Sequence, residues 1–248
     1  VIRVGWYADD PGYIGGAELA AAEMRRSAPS EIEFVSSEPD LIILNNCVQL
    51  TDTKFEAPFV KVLHDVWPEG DPEFRRFVLD KAESLYFSSP LHVGQFPHKF
   101  KAPYQVIPPA VNLTRFREAA PVRDKDVLWL AHNLSTLKGM NRAQRWAFEN
   151  RTRVDYYGHN TIGGPVTHEQ LPGLMSHYKR FLYLPNELEP FGLTVAEAWA
   201  SGLELIVDES RVGAMWWIEN RPQDVDRGSL MFWKSILDRF TIDSRPSE

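Results

Sequence analysis

Short apolar runs alternate with polar or helical stretches along the whole chain, and this alternation sets the reading of its fold. "IRVGWYA" predicts a strand, followed by a glycine-bearing loop from Asp9 to Gly16 and the helix "AELAAAEMRRS". "EIEFVSS", "DLIILNN" and "FVKVLHD" read as three further strands. "DPEFRRFVLDKAES" reads as a helix, and "SLYFSS" and "QVIPPAV" as strands that close the series. Pro108 and Pro109 stiffen the chain there, and "REAAPVRDKD" is polar and aperiodic, which suits a linker. The pattern then restarts with strand "DVLWLAH", helix "KGMNRAQRWAFEN", strand "RVDYYGH" and the Gly-rich loop "NTIGGP". A short helix from Glu169 to Tyr178, strand "RFLYLP", helix "TVAEAWAS", strand "ELIVDE" and a final helix near Ser229 to Phe240 complete it.

Repeated strand–helix succession indicates an α/β protein with largely parallel sheets and helices on their faces. The expected organisation is two consecutive α/β units facing each other across a cleft, at residues 1–115 and 116–227. A terminal helix in 228–248 would pack back on the first unit or serve as a surface for membrane or partner docking. A single long sheet is the alternative architecture.

Composition narrows the class. Hydrophobic content of 44% and charged content of 25% are ordinary for a soluble globular protein. A formal charge of -7 argues against a nonspecific nucleic-acid binder, whose electrostatic footprint would be basic. No apolar stretch approaches the ~20 residues needed to cross a bilayer. The opening "VIRVGWYA" reads as a strand and lacks the parts of a signal peptide. Cys47 is the sole cysteine, which excludes an intramolecular disulfide and is compatible with a reducing cytosol. Within "LIILNNCVQL" it reads as a small buried hydrophobe. A cytoplasmic location follows as the expectation. Eight Trp and fourteen Phe suit either dense packing or a stacking surface.

The segment Leu182 to Glu209 carries the most chemistry. Glu189 and Glu197 stand either side of a Phe-Gly turn, after a short apolar strand and within a helical pattern that runs to Gly202. This delivers acidic side chains to the carboxyl end of a strand and the start of a helix, where open α/β sheets bind small ligands.

Pro185, Asn186, Glu189, Phe191, Gly192, Glu197, Ala198, Ala200, Gly202 and Val207 together resemble the E-x7-E signature of retaining, nucleotide-sugar-dependent glycosyltransferases of the GT-B architecture. This is the family-4-like group that contains phosphatidylinositol mannosyltransferases and sucrose synthases. "GGAEL" is similar to its glycine loop after the first strand, "VLHD" to its inter-domain His-Asp segment, "VIPPAVNLTRF" to its "V-I-P-N-G-V-D-x-x-x-F", and "VLWLAHNLSTLKGM" to its "V-G-R-x-x-x-x-x-K-G". Three departures stand out: His132 stands where the family has Arg and Ala131 where it has Gly, Leu203 and Glu204 follow Gly202 without the usual Pro, and the chain is much shorter than the usual member of that family.

The resemblance implies two facing Rossmann-like domains and transfer of a hexose from a nucleoside-diphosphate sugar, UDP- or GDP-linked, to a hydroxyl acceptor on a glycan, lipid or small molecule. It assigns Lys138 to the diphosphate, with His132 as its weaker partner because imidazole offers one donor where Arg offers a fork. Glu189 would bind donor-sugar hydroxyls and Glu197 the ribose hydroxyls. Phe191, Gly192 and Leu193 would open a helix whose free N–H groups point at the phosphates. Gly15 and Gly16 would bring backbone close to the ligand or simply turn the chain. His64 would belong to the sugar or acceptor site, with a structural core histidine as the rival reading. Gly158, Gly163 and Gly164 mark loops that contact the base or turn the chain.

His159, His168 and His177 form no recognisable metal-ligand cluster. No cofactor or metal is therefore expected. Front-face attack assisted by the leaving diphosphate is the favoured route to retention. The alternatives are a nucleotide-sugar-binding protein with little chemistry, or a sugar-nucleotide epimerase or phosphorylase.

Overall fold

The computed structural model describes residues 1–8, 15–46, 55–65, 79–96, 101–131 and 136–240. Asp9, Asp10, Cys47, His132 and the first part of "DPEFRRFVLDKAES" lie outside the described residues. The chain divides into two compact units, Val1–Val111 with Gln223–Glu248, and Asn112–Pro222.

The first unit holds a parallel sheet of β1 (Ile2–Ala8), β2 (Ile32–Phe34), β3 (Leu41–Asn45), β4 (Phe59–Leu63), β5 (Ser84–Phe87) and β6 (Tyr104–Val106), in the order β2-β1-β3-β4-β5-β6. Every residue of β3, β4 and β5 is buried, as expected for apolar strands covered on both faces. The strand expected at "QVIPPAV" stops at Val106, because the prolines that follow have no N–H to extend the ladder. Helix α1 (Gly16–Arg26) connects β1 to β2 on one side, whereas β3 pairs with β1 on the other. The strand order therefore reverses at β1, and such a switch point opens a crevice at the carboxyl ends of the strands. The short helix α2 (Pro90–Val93) begins behind Ser89, whose hydroxyl accepts the His92 N–H.

The second unit is built the same way. Strands β7 (Lys125–Leu130), β8 (Val154–Tyr157), β9 (Tyr178–Tyr183) and β10 (Glu204–Val207) form a parallel sheet ordered β10-β9-β7-β8. Its switch point lies between β7 and β9. Helices α3 (Thr114–Glu118), α4 (Met140–Glu149), α5 (Leu171–Ser176), α6 (Leu193–Ala200) and α7 (Gly213–Asn220) surround it.

Three expectations change here. Tyr178 opens β9 instead of closing a helix, which ends at Ser176. The polar stretch "REAAPVRDKD" is mostly exposed but is anchored through Arg123, which donates to the carbonyls of Met175 at 3.1 Å and Tyr178 at 2.6 Å, and also to that of Ser201. An aperiodic polar segment reads as a linker, yet here its arginine satisfies carbonyls at the ends of α5 and α6. Helix α7 was not anticipated, since "GAMWWIEN" is poor in strong helix formers. It forms against the acidic segment, where Gly213 N–H donates to the Glu189 carbonyl at 3.0 Å and Ala214 N–H to that of Phe191 at 2.7 Å.

The terminal helix α8 (Gly228–Phe240) belongs to the first unit. Phe232, Trp233 and Ile236 are buried in one core with Val4, Ile43, Val60 and Tyr86, while Leu230 stays exposed. At ~1.5–3 kcal/mol for each large side chain buried, these three contribute ~5–9 kcal/mol as an upper estimate. Gly228 is required at the start: a Cβ there would lie 1.9 Å from the Pro108 carbonyl oxygen. Among the described residues no helix is long and apolar enough to cross a membrane.

Candidate functional site

The switch point of the second unit gathers the acidic pair and the lysine. After β9 the chain turns through Pro185 and Asn186 to Glu189, whose N–H bonds the Arg211 carbonyl at 2.7 Å. After β7 it reaches Lys138 and Gly139. Gly139 adopts φ +80 and lies so close to the end of β9 that a Cβ would stand 1.7 Å from the Leu184 oxygen. Only glycine permits both the left-handed conformation and that approach. The loop is held there by Asn186, whose N–H donates to the Leu137 carbonyl at 2.9 Å and whose amide donates to the Thr136 carbonyl at 2.6 Å. Arg142 adds bonds to the Pro185 carbonyl at 2.6 Å and Asp208 at 2.8 Å.

The close approach brings the Lys138 ammonium onto Oε2 of Glu189 in a part-buried ion pair. Tyr183 donates its hydroxyl to the same oxygen at 2.7 Å. Burial, reinforced by the Glu189 charge, raises the Tyr183 pKa well above its ordinary value, so this hydroxyl stays a donor. Two donors converge on Oε2, which leaves Oε1 as the freer acceptor.

Gly192 caps the helix that follows, at φ +88. A Cβ there would meet Val212 at 3.0 Å and Glu189 Cγ at 3.2 Å, so glycine is needed for conformation and for space. Phe191 is buried beside it, and Leu193 is the first residue of α6. The opening N–H groups of any helix lack intrahelical partners.

Glu197 lies one turn further along α6 and is only 1% exposed. Its Oε1 bonds His168 Nε2 at 2.6 Å, and Arg115 Nη2 bonds His168 Nδ1 at 2.5 Å. Arginine can only donate, so Nδ1 accepts and the imidazole proton rests on Nε2, from which it is donated to Glu197. Arg115 also donates to the His168 carbonyl at 3.0 Å, fixing the ring's backbone. Burial raises the Glu197 pKa, and the His168 hydrogen bond opposes that rise by favouring the carboxylate. Oε2 has no hydrogen-bond partner among the described residues.

His64 directly follows β4 in the other unit. Its Nε2 bonds Asn45 Oδ1 at 3.0 Å and its N–H donates to Asn46 Oδ1 at 3.3 Å. Desolvation lowers its pKa to about 4; Asp65 opposes this, while His92 and Lys61 add to it. The ring is therefore neutral at neutral pH. Fully buried His92 supports the same turn, bonding the Asp65 carbonyl through Nε2 at 3.0 Å and Ser88 Oγ through Nδ1 at 3.0 Å. Gly15 caps α1 in extended conformation, and its N–H is already taken by Glu18 Oε2 at 2.7 Å. Gly16 is the first residue of that helix.

No protein-family model matches the chain, and no curated protein matches it in sequence. Solved structures do match. Anabaena HepE in complex with UDP-glucose superposes with a TM-score of 0.67 and 16% identity, over 96% of this chain and 90% of that one. The same protein with UDP and glucose gives 0.62 and 14%, over 99% and 100%. AviGT4, a glycosyltransferase involved in avilamycin A biosynthesis, gives 0.61 and 14%, over 98% and 96%. The chain has a GT-B fold.

Within this GT-B chain the structure brings Lys138, Glu189, Phe191, Gly192, Leu193 and Glu197 into one unit around β9 and α6. Gly15, Gly16 and His64 belong to the other unit. Gly158, Gly163 and Gly164 turn the chain: Gly158 N–H donates to the Gly164 carbonyl at 2.8 Å, and Gly163 N–H to that of Tyr156 at 2.9 Å. Sequence reasoning missed Tyr183, Arg115 and the role of His168. Tyr183 could have been suspected, since it ends the strand that carries Glu189. Arg115 and His168 sit in segments without periodicity, and no local signal marks them. Among the described residues no group of three or more His, Cys, Asp or Glu could hold a metal ion.

Proposed function

We propose that this chain is a retaining glycosyltransferase that moves a hexose from a nucleoside-diphosphate sugar, UDP- or GDP-linked, to a hydroxyl acceptor. The observation that carries the reading is the Lys138–Glu189 pair at the sheet's switch point, within a fold whose similar structures include one in complex with UDP-glucose. Cleavage of the glycosyl–phosphate bond develops positive charge at the anomeric carbon and negative charge on the departing diphosphate. Lys138 is the cation for the diphosphate, assisted by the first N–H groups of α6 at Leu193 and Thr194. Glu189 accepts sugar hydroxyls through Oε1 while Lys138 and Tyr183 hold Oε2. Glu197 accepts the ribose hydroxyls through Oε2.

His64 is assigned to the sugar or acceptor. Its neutral imidazole suits a hydrogen-bonding role better than that of a strong base. Gly15 and Gly16 lie at the start of α1, where backbone can approach a ligand. The diphosphate oxygen released in front-face attack takes the acceptor's proton, so configuration is retained without a protein nucleophile. Positive charge from Lys138 and the α6 N–H groups supports transfer without a divalent ion.

A thermal-shift screen against UDP-, GDP-, ADP- and TDP-sugars identifies the donor, because a ligand that binds only the folded state stabilises it. Mass spectrometry then follows transfer to an acceptor panel with and without chelator, and NMR of the product reads its anomeric configuration. Glu189→Ala and Lys138→Ala should each impair transfer sharply. Absence of both binding and turnover across the panel defeats the proposal, full activity in both variants defeats the assignments, and loss of activity with chelator defeats metal independence.

A further inference from the structure

A cavity of about 670 Å³ lies along α1 in the unit that carries the six-stranded sheet. Its volume falls within the ~300–1,000 Å³ typical of small-molecule pockets. It adjoins the switch point at β1, with Ala8 and Asn45 marking the carboxyl ends of β1 and β3.

The chemistry of the lining is segregated. Along the middle, Ala17, Ala21 and Ala22 of α1 leave open space beside the rings of Trp6 and Phe34. Those rings meet edge to face, with centroids 5.8 Å apart, and make a stiff apolar wall. One end is polar and rigid: Asn45 and Asn46 are 2% and 4% exposed and are tied to His64 and Asp65. The other end is cationic. Arg26 there is paired with Glu23, but Arg25 makes no ion pair among the described residues. Its guanidinium lies over the Phe34 ring, 5.0 Å from the centroid, at the cavity's edge. Glu18 is the acidic residue of the described lining; it stands near the opposite end of α1 with its carboxylate on the Gly15 N–H. Eight residues separate Ala17 from Arg25, which at 1.5 Å per helical residue is ~12 Å.

We propose that this cavity binds a small organic anion with a flat apolar body about 12 Å long. The body lies between the alanine face of α1 and the Trp6–Phe34 wall, the anionic group meets Arg25, and the far end is presented to Asn45 and Asn46. A ring slides against aromatic edges and methyl groups without leaving polar atoms unpaired, whereas a polyhydroxylated ligand would leave hydroxyls unsatisfied along that stretch. This assignment is independent of the transfer reading, because it concerns binding in the absence of any nucleotide sugar.

Two dyes that share one skeleton test it. 8-Anilinonaphthalene-1-sulfonate carries an anionic group, and N-phenyl-1-naphthylamine is its neutral counterpart; both fluoresce when bound. The expected result is a single saturable site for each, with the sulfonate bound ~10-fold more tightly through its charge-assisted contact. Arg25→Gln should remove that advantage and leave the neutral dye unchanged. Ala22→Phe should exclude both dyes with little change in melting temperature, since Ala22 is exposed, and Ala17→Leu serves as a second filling variant. The proposal is overturned if neither dye binds, if both bind the filled variants as they bind the parent, or if Arg25→Gln affects the two dyes alike.

Discussion

Replacing His168 by Leu removes the donor that faces a nearly fully buried carboxylate, and its consequence can be worked through. A hydrogen bond to a charged group contributes ~1.5–3 kcal/mol, and the 1% exposure of Glu197 places this one in the upper half of that range. If Glu197 holds the ribose hydroxyls, losing its charged form weakens nucleotide binding by ~40- to 140-fold at ~1.4 kcal/mol per decade. The sign with pH is set by the carboxyl group. Burial already raises the Glu197 pKa, and His168 and Arg115 are the groups that lower it. Without the His168 bond the pKa climbs further, the protonated fraction at neutral pH grows, and affinity should recover as pH rises. Calorimetric titration of UDP into the parent, His168→Leu and His168→Gln from mildly acid to mildly alkaline pH reads this directly. The glutamine variant retains an N–H donor and should recover part of the affinity. UDP binding in His168→Leu equal to that of the parent at every pH would refute the reasoning, as would weakened binding that alkaline pH does not restore.

Other perturbations have outcomes of known direction. Burial holds His92 at a pKa of about 4 against an ordinary 6.5, which at ~1.36 kcal/mol per pH unit makes ~3 kcal/mol of stability. The folded pKa is depressed, so this stability is fully present above the unfolded value and is lost as pH falls through about 4. Urea unfolding across that window should show a steeper acid loss in the parent than in His92→Gln, and equal slopes would remove His92 as the cause. Gly139→Ala combines a positive φ with a Cβ 1.7 Å from a carbonyl oxygen, and should cost well over ~2 kcal/mol. Gly164→Ala, also at positive φ but with nothing within 4 Å, should cost only ~1–2 kcal/mol, and chemical denaturation that ranks the two in reverse would contradict the packing argument. Tyr183→Phe removes a donor from Glu189 but keeps the ring, and should raise the KM for the sugar nucleotide while leaving UDP affinity near that of the parent. A matching loss of UDP affinity would place Tyr183 elsewhere in the site.

The alternation of apolar runs was enough to reveal the strands of both sheets, because side-chain burial on a covered parallel sheet is written in consecutive residues. The spacing of Glu189, Phe191, Gly192 and Glu197 was equally legible, since a strand end, a glycine turn and a helix start are local events. Helix α7 was not, because its start is stabilised by carbonyls of Glu189 and Phe191 more than by its own residues. The anchoring of the polar segment through Arg123 was illegible for a related reason: what it satisfies lies at the ends of α5 and α6, out of reach of any local window.

The sequence by itself determined the class of fold and the neighbourhood of the acidic pair. Tertiary structure alone decided what that pair touches. Lys138 meets Glu189 across 51 positions, His168 meets Glu197 across 29, and Arg115 meets His168 across 53. The first exists because the non-consecutive strands β7 and β9 lie side by side and their following loops meet, and the other two because α3 and the segment after β8 come against α6. Periodicities of two or 3.6 residues carry no information over such separations. Which ring nitrogen of His168 donates, like the buried neutrality of His92, is a property of partners and not of residue type.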